Sequence, residues 1–242
     1  MTPKARRWIV LLAAVAMAAL TARLGVWQLD RAAQKTALQQ GMEQRRLLPA
    51  LALKELPPDE AGALVQRHRQ VQLQGRWSSR DTVFLENRQM DARPGFFAFT
   101  PLMLDDGSAV LVQRGWFPRD LIDRTRIVAP APPTGRVDVQ GRIAPRPGRV
   151  YEFAGAGSGP IRQNLDLSDY ARETSLPLRP FILVQEDGPV VSADGLLRRW
   201  PAPAADVHKH YGYAFQWFAL SVLVTCLYVW FQLIRPLRQK SR

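Results

Sequence analysis

HKHYGYAFQWFALSVLVTCLYVWFQLI, residues 208–234, is without charge from Tyr211 to Ile234. At about 1.5 Å per residue those 24 residues make a helix of about 36 Å, enough to cross a bilayer with some tilt. Arg235, Pro236, Arg238, Lys240 and Arg242 follow at once and mark a cytoplasmic-type stop. The other end holds unusual chemistry. His210, Tyr213 and Trp217 are spaced i, i+3, i+7, which places them on one helical stripe. Two readings are open for that stripe. It is an interfacial belt that anchors the helix at the headgroups, or His210 ligates a metal or a haem iron with the two aromatics below it.

The formal charge of +12 on 242 residues suggests a nucleic-acid binder until its distribution is followed. Lys4, Arg6, Arg7 and Arg23 lie in or before a first apolar segment, and Arg235, Arg238, Lys240 and Arg242 follow the second. Those eight account for most of the excess, and all 21 acidic residues lie between the two segments, where the balance is only +4. The pattern is one of membrane topology and not a footprint for nucleic acid. The single cysteine, Cys226, rules out an intrachain disulfide or a multi-cysteine metal site.

The first segment runs from Trp8 to Ala22 and has two readings of its own. Ala16-Met17-Ala18 would serve as a signal-peptidase site. An uncleaved helix would instead continue past Arg23 to an interfacial Trp27. Arg23, about one turn from that end, would either snorkel to the interface or serve a function that repays its cost in the membrane. Basic residues outside both apolar segments put both termini in the cytoplasm, and the long stretch between is translocated. The expected division is 1–7 cytoplasmic, 8–27 first membrane helix, 28–209 periplasmic, 210–234 second membrane helix and 235–242 a basic cytoplasmic tail.

The translocated part begins with a helix over 28–46, rich in good helix formers, and a short helix is expected at Asp59–Val65. Period-two alternation then takes over. Strands are predicted at 69–75, 82–86, 96–104, 109–113, 137–143, 149–153, 161–165 and 181–185, with a hairpin turn at Asp105–Ser108. Asp166 or Ser168 should cap a helix ending at Thr174. Short spacing favours antiparallel pairing. The expected fold is therefore α+β: two transmembrane helices flanking an antiparallel β-rich domain, a curled sheet or partial barrel with a few helices.

Catalytic motifs are weak. Gly155–Pro160 has Pro160 where a dinucleotide fingerprint needs its third glycine and lacks the Gly-Lys-Ser/Thr of a phosphate loop, so it reads as a hairpin loop. His68 reads as a surface residue ahead of a strand, and Asp105 and Asp106 as turn residues. Three denser patches remain: LGVWQLDR at 24–31, LENR at 85–88 and LVQRGWFP at 111–118. Gly115 suits a bend at a strand end, with Trp116 capping the core. Arginines at such ends can hold carboxylates in a fork.

Together with HYGYAFQWF at 210–218, these patches resemble the Surfeit locus protein 1 family, in content and in order. The residues carrying the likeness are Gly25, Trp27 and Gln28, then Asn87 and Arg88, then Arg114, Gly115, Trp116 and Pro118, then His210. Gln163-Asn164 and Arg198–Pro201 match later landmarks. Lys209-His210-Tyr211 stands where relatives often carry Asn-His-Leu; the histidine remains, and His208 is an additional one.

The resemblance implies a non-enzymatic assembly factor for haem–copper cytochrome c oxidase in the inner membrane. Its partners would be the oxidase catalytic subunit and the haem a synthesis machinery. It implies that LGVWQ belongs to the mature chain, which argues against cleavage after Ala18. It turns the balance at His210 toward haem a ligation, with Tyr213 and Trp217 against the macrocycle. Arg23, Arg88, Arg114, Arg198 and Arg199 become candidate contacts for the propionates or a partner. A scaffold that holds oxidase subunits without haem is the other reading.

Overall fold

One long strand explains how the sheet closes. Arg93–Leu104 (β3) pairs along one edge with Ala109–Pro118 (β4) through the Asp105–Ser108 hairpin. Asp106 Oδ1 tightens that turn by accepting from the Ser108 amide at 2.9 Å. Along its other edge β3 changes neighbours. Its first half pairs with Val83–Met90 (β2), and its last residues pair with Gln70–Trp77 (β1), Gly75 opposite Leu104. Gly75 permits this crossing, since a Cβ there would lie 2.3 Å from the Met103 carbonyl oxygen.

The structure, a computed structural model, describes residues 2–120, 127, 129–149, 159–187, 194–200 and 206–240. Among these, Arg136–Ala144 (β5), Ile161–Arg162 (β6) and Leu178–Gln185 (β7) complete the order β1-β5-β7-β4-β3-β2-β6. Because β1 also pairs with β3, the strands β1, β5, β7, β4 and β3 form a closed, barrel-like ring, with β2 and β6 as an extension. Closure removes the ring's free edges. The expected antiparallel sheet needs correction at two places: β4 with β7, and β2 with β6, run parallel. The β4–β7 pairing follows from a long connection that includes β5 and the helix Leu167–Thr174 (α3), which brings the chain back in the same direction.

The ring encloses Val71, Leu73, Leu102, Val110, Val112, Ile143, Phe181 and Leu183. The next residues along the same strands, including Leu111, Ile182 and Val184, point outward and join Leu165 and Tyr170 of the α3 layer in a second core. Strand β4 is thus buried on both faces. Asp166 caps α3 as expected, accepting from the amides of Ser168 and Asp169, and Asp59 caps Glu60–Val65 (α2) through the Gly62 amide.

Two strands outrun their sequence patterns because each contains a bulge. Strand β2 shifts register between Leu85 and Arg88, with Asn87 at φ +57°, a conformation asparagine tolerates. Strand β4 places Arg114 as an extra residue, since Ala98 faces Gly115 while Phe99 faces Gln113. A bulge flips the alternation that follows it, which is why period-two reading stopped at Glu86 and Gln113. The predicted strand at 149–153 and the loop at Gly155–Pro160 lie largely outside the described residues, as does Pro201. His68 is not the surface residue expected: at φ +69° its backbone bonds Ile143, and both ring nitrogens are buried without hydrogen-bond partners.

The terminal helices are long. Pro3–Arg46 (α1) is continuous, so the helix expected at 28–46 is the C-terminal part of the first one. Val207–Tyr228 (α4) continues through a π-helical turn at Val229–Ile234 into Arg235–Lys240 (α5). The wider turn comes just before Pro236, whose missing N–H and ring disfavour a regular α-helical turn there. Both helices are long and apolar enough to cross a membrane. The chain divides into a helical unit, 1–41 with 201–242, and a barrel unit, 42–200.

Candidate functional site

Within the helical unit, α1 and α4 pack antiparallel along seams read from their residue types. On α1 the seam is Ala18, Thr21, Gly25, Gln28 and Ala32, small except for the glutamine, at alternating three- and four-residue steps. On α4 it is His210, Ala214, Phe218 and Ser221. Gly25 makes room for the Phe218 ring, which a Cβ there would meet at 2.8 Å. Near one end Ser221 donates to the Ala18 carbonyl at 2.9 Å.

At the other end of the seam His210 meets Gln28. Nδ1 of His210 lies 2.8 Å from Oε1 of Gln28, 182 positions away in sequence. An amide oxygen only accepts, so Nδ1 carries the proton and donates. The other ring nitrogen, Nε2, makes no hydrogen bond to a described residue. A histidine with one nitrogen fixed by an acceptor and the other open is how proteins present imidazole to a metal. His208 is exposed, two residues and about 200° around the helix from His210.

The stripe predicted on α4 is brought together only in part. Trp217 is half-buried near the seam, but Tyr213 is 52% exposed, and Ala214, 2% exposed, occupies the place beneath His210. Trp27 is exposed, with the Arg31 guanidinium 5.6 Å from its ring centroid. Arg23 is exposed and lies about 140° around α1 from Gln28, so it does not share that face.

The remaining motif residues gather inside the barrel unit, where the two bulges aim them. Arg88 donates to the Gln163 carbonyl at 2.7 Å and covers the Phe97 ring, while Trp116 Nε1 donates to the Arg88 carbonyl at 3.0 Å. Trp116 also exchanges both backbone hydrogen bonds with Leu197, which brings the 196–200 segment against β4. Gly115 allows that approach, being 2.6 Å from the Leu196 Cβ once a Cβ is added. Pro118 ends β4.

Arg114 and Arg198 then share one carboxylate. Arg114 Nη2 is 3.4 Å from Asp194 Oδ2, Arg198 Nη2 binds the same oxygen, and Arg198 Nη1 bonds Asp187 at 3.0 Å. Arg114 is 1% exposed. Burial pushes its guanidinium down from the ordinary value, Asp194 opposes that and Arg198 adds to it. Arg88 is lowered by burial as well. Arg199, by contrast, pairs with Asp91 at the surface. The candidate anion-binding arginines of this unit therefore hold partners of their own. Asp187 and Asp194 were not singled out in the sequence, and no local pattern marks them, because the segment from Asp194 to Arg198 is not helical.

A family model described as the SURF1 family matches residues 15–222, a span that contains both the Gln28–His210 pair and the arginine cluster. The chain is similar to a "SURF1-like protein" of Rickettsia bellii, 25% identical over 209 residues, covering 85% of this chain and 83% of the relative. A "SURF1-like protein" of Rickettsia felis is also 25% identical over 211 residues, 85% and 89% of the two chains. The "Cytochrome oxidase assembly protein SHY1" of Saccharomyces cerevisiae is 32% identical over 116 residues, 47% of this chain and 29% of the relative.

Proposed function

The chain belongs to the SURF1 family, and from that premise we propose that it assists assembly of cytochrome c oxidase by holding haem a on its way to the catalytic subunit. The yeast relative is named for cytochrome oxidase assembly, which supports the broader half of this reading. The Gln28–His210 contact carries the finer half. It joins two motif residues from opposite ends of the chain and leaves one imidazole nitrogen open beside apolar helix faces.

Haem a is the cargo here, not a reagent. His210 Nε2 supplies a neutral ligand for its iron, and Gln28 holds the ring in the tautomer that keeps Nε2 available. Trp217 and Phe218 offer apolar contact for the macrocycle. A carrier with one protein ligand keeps the other axial position for the recipient, which favours release. The two long helices span the inner membrane with Arg6, Arg7, Arg235 and Arg238 on the cytoplasmic side and the barrel unit in the periplasm. The haem a synthesis machinery is the donor in this scheme.

The test is an absorption spectrum of the full protein purified from cells that make haem a, with co-purifying proteins identified. A Soret band with oxidase subunits present supports custody of haem. Oxidase subunits without a Soret band would replace it with the scaffold reading.

A further inference from the structure

The barrel unit contains a cavity of about 460 Å³ that neither the ring closure nor the arginine cluster explains. It opens between the residues after β5, the start of α3 and the start of β7. Its size lies within the roughly 300–1,000 Å³ typical of small-molecule sites. Its walls combine two opposite characters. Pro145, Pro147, Leu165, Leu167, Leu178 and Pro180 give it apolar sides. Arg146, Arg149, Arg172 and Arg179 stand around the same space, against only Glu60 and Asp166.

The charged residues do not cancel one another. Asp166 is engaged as the cap of α3, and hydrogen bonds from Ser168 and Asp169 hold its carboxyl below the usual range. Arg179 is bound by Asp106 and Ser108, and Arg172 by Asp169 on the outside of α3. Arg146 makes no ion pair with any described residue, and Arg149 has the already capped Asp166 near it. Both are exposed on a segment stiffened by Pro145 and Pro147. Two guanidiniums at the rim of a cleft with hydrocarbon walls suit a ligand that is anionic at one end and apolar along its body.

We propose that this cavity binds a single-chain anionic amphiphile, a hydrocarbon tail with one phosphate or carboxylate head. The head sits at Arg146 and Arg149, where forked donors match either group. The tail lies along Pro147, Leu165, Leu167 and Leu178. A free inorganic anion would leave the apolar wall wet, and a neutral apolar molecule would leave the arginines without a partner.

The experiment uses the full chain in phosphatidylcholine nanodiscs, with octyl phosphate, octanoate, inorganic phosphate and octyl glucoside titrated by calorimetry after subtraction of empty-disc uptake. Saturable binding of octyl phosphate or octanoate is expected, at least tenfold tighter than either inorganic phosphate or octyl glucoside. The double variant Arg146→Ala/Arg149→Ala, which removes two exposed side chains that form no ion pair with a described residue, should lose at least tenfold in affinity. Ala171→Trp, which fills the cavity from α3, should lose binding while circular dichroism stays unchanged. Equal binding of inorganic phosphate would reduce the site to an anion patch, equal binding of octyl glucoside would reduce it to an apolar cleft, and no saturable binding would remove it. Each of these three results overturns the proposal, as does full binding by the Arg146→Ala/Arg149→Ala variant.

Discussion

The helical unit and the barrel unit both carry motif residues, but they use them in opposite ways. In the barrel, two bulges turn Arg88, Arg114 and Trp116 inward, and with Arg198 of the 194–200 segment they are bonded to Gln163, the Arg88 carbonyl, Asp194 and Asp187. The terminal guanidinium nitrogens find partners within the fold, while the Nε of Arg88, Arg114 and Arg198 is buried without one. In the helical unit, His210 is fixed by Gln28 on one nitrogen and left open on the other. The difference teaches that a motif's charge or rarity does not say whether it serves the fold or a ligand. What separates the two is whether a polar atom left without a partner is buried, as the three Nε atoms are, or remains accessible to a ligand, as Nε2 of His210 does.

The largest effect is expected where that separation is sharpest. Asp194→Ala leaves the buried Arg114 without a carboxylate and Arg198 with Asp187 alone, and breaking such a buried cluster should destabilise the barrel unit by about 3–5 kcal/mol. Asp91→Ala removes the surface partner of Arg199 and should cost about 0–1 kcal/mol. Thermal melts of the two variants measure the contrast; equal losses would mean the buried cluster is not what holds this region.

Next comes the helix pair. Gly25→Leu must displace Phe218 and should weaken packing of α1 on α4 by about 1–3 kcal/mol. Disulfide yield between Ala18→Cys and Ser221→Cys, in a Cys226→Ser background, reads the loss. An undiminished yield would show that the close approach at Gly25 is not required.

Gln28→Leu keeps the helix face but removes the acceptor for His210 Nδ1. Supporting partners of this kind are worth about 10–100-fold in metal affinity, and haem affinity should fall by that order. Gln28→Glu, which still accepts, should bind haem more tightly than Gln28→Leu. Equal affinities for the two variants would separate Gln28 from the ligand.

The smallest effect concerns pH. Burial first, then Arg67, Arg142 and Arg45, lower the His68 pKa from 6.5 to about 4. The folded barrel thus prefers the neutral ring, and the unfolded chain binds the proton more readily. His68 then contributes stability that is complete above about pH 6.5 and is lost progressively as pH falls toward 4. His68→Asn, chosen because asparagine accepts a positive φ, should flatten the stability profile across that window. A profile as steep as the parent's would assign the acid sensitivity elsewhere.

The sequence made the helices and the unbroken strands legible because each has one period throughout. The capping of α3 by Asp166 and the hairpin at Asp105–Ser108 were equally local. The continuation of β2 past Asn87 and of β4 past Arg114 was not, because a bulge breaks the alternation without leaving a period of its own. The parallel β4–β7 pairing depends on how a long connection travels, which no local pattern records. At the site, His210 and Gln28 were each visible as motif residues, but their contact joins distant segments. Tyr213 was placed on the stripe by counting three residues, whereas the packed seam takes the four-residue step to Ala214.

The measurement that bears most directly on the proposed haem site in the helical unit is the haem-to-protein ratio of His210→Ala, His208→Ala and His68→Ala. The three are purified at matched expression from cells that make haem a. His210→Ala should lose all or nearly all bound haem, while the other two keep the parent's ratio. Full haem in His210→Ala, with loss in either of the others, would contradict the assignment.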